Sequence, residues 1–95
     1  MANRGRPKKQ RLIQNFPKIY YFSPRGRAGR PDEVILGIDE LEALRWSDLQ
    51  NLSQKESAKM MGISQQTFSR ILNKARKILA DAIINGKIIK IHGPA

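Results

Sequence analysis

Cysteine is absent from this 95-residue chain, and histidine occurs once, at His92. Neither a disulfide framework nor a Cys/His zinc site can be built from such a composition. Long apolar runs are missing as well: nothing approaches the roughly eighteen consecutive apolar residues of a membrane helix, and no apolar stretch follows the basic N-terminus as it would in a secretory signal. The expectation is a soluble cytoplasmic protein without membrane, metal or cofactor. No spacing of Ser, Asp and His pairs a nucleophile with a base, so no catalytic residues and no enzyme are expected.

Acidic residues are missing from the first third. Residues 1 to 30 carry nine Lys/Arg and no Asp or Glu, whereas residues 31 to 95 carry nine basic and eight acidic groups. The formal net charge of +10 therefore sits almost entirely on an N-terminal arm attached to a nearly neutral globule. Such an arrangement suits a polyanionic partner, because each phosphate neutralised releases condensed counterions. A merely solubilising tail is the plainer alternative.

Along the arm, residues 1 to 15 lack hydrophobic period and are expected to be disordered. Within them Arg4-Gly5-Arg6-Pro7, followed by Lys8 and Lys9, resembles the core of an AT-hook. Gly5 would let the backbone approach a narrow minor groove, Pro7 would keep the chain extended, and the two arginines would answer the groove's negative potential. Non-specific phosphate contact is the other reading of the same string. Residues 16 to 31 read as an extended anchor, with a short strand at Lys18 to Phe22, and a basic loop whose Arg25, Arg27 and Arg30 are candidate phosphate contacts. Tyr20, Tyr21 and Phe22 could stack on bases, but more simply they tether the segment over a core.

Residues 32 to 95 carry the pattern of a small helical domain. Val34 to Ile38 is a short apolar strand, after which Asp39 with Glu42 suggests a capped helix bearing Leu41, Leu44, Leu49 and Leu52 on one side. Ser53 with Glu56 caps a second helix from Gln54 to Met61. Gly62 then supplies a tight reversal, and Ser64 caps a third helix expected from Gln65 to about Ile84. Apolar residues recur on that helix at Phe68, Ile71, Leu72, Ala75, Ile78, Leu79 and Ala82, a three-four spacing that marks a core stripe. Gly86 closes it, and Lys87 to His92 forms a strand expected to pair with Val34 to Ile38 or with a second subunit.

Two short helices about a glycine turn, the second opening on small polar residues, form a helix-turn-helix pattern. The expected fold is therefore mainly α: a three-helix helix-turn-helix domain with short flanking β-strands. Gln65, Gln66, Thr67, Ser69, Arg70 and Asn73 are candidates for reading base edges, since Gln and Asn pair bidentately with adenine and Arg with guanine. Ser53, Ser64, Lys74, Arg76 and Lys77 are candidates for phosphate contact.

Several strings also resemble a known family: Tyr21-Phe22-Ser23-Pro24, Asp39-Glu40-Leu41-Glu42-Ala43-Leu44-Arg45, Leu52-Ser53-Gln54-Lys55-Glu56-Ser57-Ala58, Met61-Gly62-Ile63-Ser64-Gln65-Gln66-Thr67-Phe68, and Gly86-Lys87. The chain is similar to a family of small, uncharacterised prokaryotic proteins described as predicted DNA-binding proteins. Their helix-turn-helix resembles sigma-factor region 4. The resemblance implies a scaffold helix at Gln54 to Met61 and a recognition helix opening at Ser64. Asn51 departs from the glycine usual in relatives, and the loop before Pro31 is unusually basic. The expected function is sequence-specific binding of double-stranded DNA by a nucleoid-associated transcriptional regulator. A module that docks on RNA polymerase and an RNA-binding protein are the alternatives, and a homodimer is left open.

Overall fold

A computed structural model describes residues 11–26, 29 and 31–92. Strand β1 (Tyr21–Phe22) and strand β2 (Glu33–Gly37) precede helix α1 (Ile38–Leu44), which runs on into a wide π-helical turn, Arg45–Leu49. Helices α2 (Gln54–Met60) and α3 (Gln65–Asn85) follow, and strand β3 (Ile88–His92) completes the order.

The three strands form one sheet in the order β1-β3-β2. β3 runs parallel to β2, with Val34 opposite Ile89 and Leu36 opposite Ile91, and antiparallel to β1, with Tyr21 opposite Lys90. Parallel strands cannot be joined by a hairpin and need a crossover connection. Here the entire helical unit is that connection.

α3 carries the core. Its Phe68, Ile71 and Leu72 pack with Ala43, Ala58 and Met61, while its Ala75 joins Leu36 and Ile91 beneath the sheet. Leu44 touches both clusters, so α1 bridges them. The expected apolar spacing along α3 is thus used on one continuous face, and the helix runs one residue beyond the expected end before Gly86 caps it in the left-handed region.

The start of α1 differs from the sequence expectation. Asp39 and Glu42 do not cap it; Gly37 occupies the cap position and Ile38 is the first helical residue. Glu40 Oε1 accepts the Gly37 amide at 2.7 Å, and Asp39 Oδ1 accepts the Glu40 amide at 2.8 Å. A Cβ on Gly37 would lie 2.8 Å from Asp39 Oδ1, so a larger residue there would require the Asp39 carboxylate to shift.

The helix also fails to carry its leucine stripe to the end. The Arg45 carbonyl accepts the Gln50 amide at 2.8 Å across the π-turn, and Asn51 reverses the chain at φ 60°. The extra residue in that turn rotates Leu49 into solvent, where it is 68% exposed.

Candidate nucleic-acid interface

Helices α2 and α3 are joined through a short turn whose geometry is set locally. Ser53 Oγ accepts the Glu56 amide at 3.0 Å and fixes the start of α2. At the other end, the Ala58 carbonyl accepts the Ile63 amide at 3.0 Å, and Gly62 takes φ 65°. Ser64 Oγ then accepts the Thr67 amide at 3.1 Å and donates to Thr67 Oγ1 at 2.9 Å. Each cap satisfies an otherwise unpaired helical N–H, which stabilises the turn by about 1 kcal/mol apiece.

Opposite the core face of α3 lie Gln66, Arg70, Asn73 and Lys77, all exposed and spaced so that they fall on one side of successive turns. Gln65 is exposed at the first turn, and Ser69 is half-buried beside the stripe. Arg70 and Lys77 enter no ion pair among the described residues. Amide and guanidinium groups therefore face outward from a helix whose opposite face is locked into the core.

The remaining candidates are placed differently. The hydroxyls of Ser53, Ser64 and Thr67 are engaged in the caps. Lys74 is 73% exposed, with its Nζ 3.7 Å from Glu40 Oε2. Arg76 is turned toward the π-turn, donating through Nη2 and Nε to the two Asp48 oxygens at 2.7 and 3.2 Å. These bonds hold the Asp48 carboxyl below its ordinary pKa and raise that of Arg76. At the far end of α3, Lys87 and Asn85 donate to Asp81 and lower its pKa likewise.

Arg25 is exposed and follows Phe22, Ser23 and Pro24, which share a recess with Ala82, Ile83, Gly86 and Lys87 at the C-terminal end of α3. Gln65 lies at the other end of this 21-residue helix, about 30 Å away at 1.5 Å per residue. Arg27, Arg30 and the arm residues Arg4, Gly5, Arg6, Pro7, Lys8 and Lys9 lie outside the described residues.

Two features escaped the sequence reading. Residues 11 to 14, expected within the disordered arm, are docked. The Met61 carbonyl accepts the Leu12 amide at 3.0 Å, Glu42 Oε2 accepts the Gln14 amide at 2.9 Å, and Gln14 Nε2 donates to the Met60 carbonyl at 3.1 Å. The available signal was the Leu12-Ile13 pair, two apolar residues inside a polar stretch. Glu42, only 1% exposed, also accepts from Trp46 Nε1 at 3.2 Å and sits 3.4 Å from Arg45 Nε. That last contact is not aligned as a hydrogen bond, so Glu42 Oε1 and Arg45 Nε are held by charge alone.

The model of a family described as "Protein of unknown function DUF134" matches residues 1–95. The chain belongs to this family. Among its relatives, the DUF134 chain is 47% identical over 90 residues to the UPF0251 protein of Prosthecochloris aestuarii, covering 94% of itself and 58% of that relative. It is 50% identical over 88 residues to the UPF0251 protein of Caldicellulosiruptor bescii, covering 93% and 61%. The UPF0251 protein Teth39_0655 of Thermoanaerobacter pseudethanolicus is 47% identical over 89 residues, at 93% and 75% coverage. The chain thus spans about three fifths of the length of the first two. No solved structure matches it. Among the described residues no helix is long and apolar enough to cross a membrane, and no group of three His, Cys, Asp or Glu is placed to hold a metal ion.

Proposed function

We propose that this protein binds double-stranded DNA sequence-specifically as a nucleoid-associated transcriptional regulator, with α2 and α3 acting as a helix-turn-helix similar to sigma-factor region 4. One observation carries the reading: Gln66, Arg70, Asn73 and Lys77 form an exposed stripe on a helix whose position is fixed by its buried opposite face. Gln66, Asn73 and Arg70 have the donors and acceptors to read base edges in a major groove. Lys77 and Lys74 lie farther along, where phosphates are reached. The charge of the basic arm and of Arg25, which follows the segment packed at the C-terminal end of α3, would supply the sequence-independent attraction. Because Arg76 is bound to Asp48, it contributes less to phosphate contact than its charge suggests.

Selection from a random duplex library tests the proposal. Arg70→Ala and Gln66→Ala should each lower discrimination between selected and random duplexes by about 1 to 3 kcal/mol. Equal ratios for wild type and both variants would sink the base-reading assignment. A second reading is favoured by the exposure of Tyr20, Tyr21 and Phe22, which suits stacking on single-stranded RNA. Displacement of the selected duplex by unstructured RNA at comparable concentration would decide for it.

A further inference from the structure

We infer that the recess between the anchor segment and α1 is a binding site for a small monocarboxylic acid with an apolar body, either an aryl or a branched-chain acid. The recess measures about 480 Å3, a volume within the range of small-molecule pockets, and its walls come from the anchor, β1, α1 with the start of the π-turn, and β3. Ile91 of β3 is buried and Leu41 of α1 half-buried, and both line it. Phe16, Ile19 and Phe22 line it too, yet each remains about half exposed, although a segment that only tethered the chain over a core would turn such large apolar side chains inward. Their apolar surface is left facing a cavity. An apolar occupant would remove that surface from water, with a gain roughly proportional to the area covered.

Charge decides the class of the occupant. Lys18 and Arg45 line the recess, and no described acidic side chain does. Lys18 enters no ion pair among the described residues. Arg45 approaches Glu42 through Nε at 3.4 Å without hydrogen-bond alignment, and its guanidinium donates to no acceptor among the described residues. Its terminal N–H groups are therefore unused, and a guanidinium fork in that state matches a carboxylate bidentately. Glu42 keeps its own charge beside Arg45, while its Oε2 is taken up by the Gln14 amide and the Trp46 indole. One of the two positive charges is thus already offset. A monoanion balances what is left, whereas a phosphate dianion would leave negative charge unmatched beside Glu42. No residue of α3 lines the recess, so the site is separate from the stripe of Gln66, Arg70, Asn73 and Lys77 and does not depend on what that stripe binds.

The experiment titrates the full, isotope-labelled chain with phenylacetate and with isovalerate at millimolar concentration and follows its amide resonances. Both acids should shift those of Ile19, Phe22 and Leu41 saturably and leave those of Gln66 and Arg70 in place. Phenylacetamide has the same ring without the charge, and should bind about tenfold more weakly, the ratio expected when hydrogen bonds to a charged group become neutral ones. Lys18 is exposed, so Lys18→Gln should weaken binding of both acids several-fold with the fold intact. Arg45→Gln should abolish it. Where Arg45→Gln fails to fold because buried Glu42 has lost its partner, Ile19→Glu at the exposed wall replaces it and should abolish binding by repelling the carboxylate. Absence of saturable shifts with both acids would overturn the site. So would phenylacetamide or inorganic phosphate binding as tightly as phenylacetate, or Lys18→Gln and Ile19→Glu chains that bind the acids as wild type does.

Discussion

Replacing Glu42 by glutamine isolates the charge of one buried side chain on which three parts of the molecule converge. The two donors, the Gln14 amide and the Trp46 indole N–H, both reach the same oxygen, Oε2. A glutamine carbonyl in that place can keep both bonds, so the substitution changes their strength and not their number. Hydrogen bonds to a charged group are worth about 1.5 to 3 kcal/mol and neutral ones about 0.5 to 1.5, so two of them lose roughly 2 kcal/mol together. The new NH2 would also face the Arg45 guanidinium, donor against donor, adding up to about 1 kcal/mol at a side chain still partly wet. The expected destabilisation is about 2 to 3 kcal/mol, or roughly 8 to 24 °C in Tm for a domain of this size. Urea unfolding followed through Trp46, the chain's single tryptophan, would measure it, with an unchanged m value indicating an unchanged native fold. Hydrogen exchange at the Gln14 amide should accelerate beyond the global change. A midpoint within about 0.5 kcal/mol of wild type would refute the reasoning, since that is the range of an ordinary surface substitution.

Two further perturbations separate local geometry from charge. Gly62→Ala places a Cβ at φ 65° and against the Leu12 side chain, and should cost about 1 to 2 kcal/mol in the urea midpoint; no measurable change would mean that the turn relaxes freely. The depressed pKa of Asp48 means that the unfolded chain binds its proton more readily than the folded one. The Arg76 pair therefore contributes fully above the ordinary carboxylate pKa near 3.8 and loses its contribution as pH falls through the lower, folded value. Both side chains are 40 to 49% exposed, which limits the contribution to below about 1 kcal/mol and makes it salt-sensitive. Asp48→Asn should flatten the acid limb of stability in urea titrations taken from pH 7 downward; an identical limb in both proteins would show that the pair contributes nothing.

Signals that act within one turn of helix were legible in the sequence. Ser53, Gly62, Ser64 and Gly86 each govern their own neighbourhood, and α2 and α3 lie close to where those residues put them. The three-four spacing from Phe68 to Ala82 likewise identified the buried face of α3, and with it the exposed stripe. Contacts between distant segments were not legible. Asp39 and Glu42 fit a capping box as a string, yet Gly37 and Glu40 form the helix start because the chain enters from a strand in close approach. Nothing periodic announced the π-turn, since the inserted residue breaks the period by which helices are read. The docking of Leu12 and Gln14 depends on partners 28 to 49 positions away, and the engagement of Arg76 depends on Asp48 across the fold.

The central place of β3 in the sheet bears on how the chain acquires its structure. β1 and β2 do not pair with each other, so neither has a strand to join until Ile88–His92 has been made. Pairing Glu33 with Ile88 closes a loop of roughly 55 residues, an entropic demand that the neighbouring α2 and α3 do not face. The helices should therefore collapse early around Phe68 and Met61, with the sheet zipping shut late around them. On a ribosome, Ile35 and Tyr21 would wait exposed through synthesis of the whole helical unit, making this interval the chain's period of greatest susceptibility to aggregation.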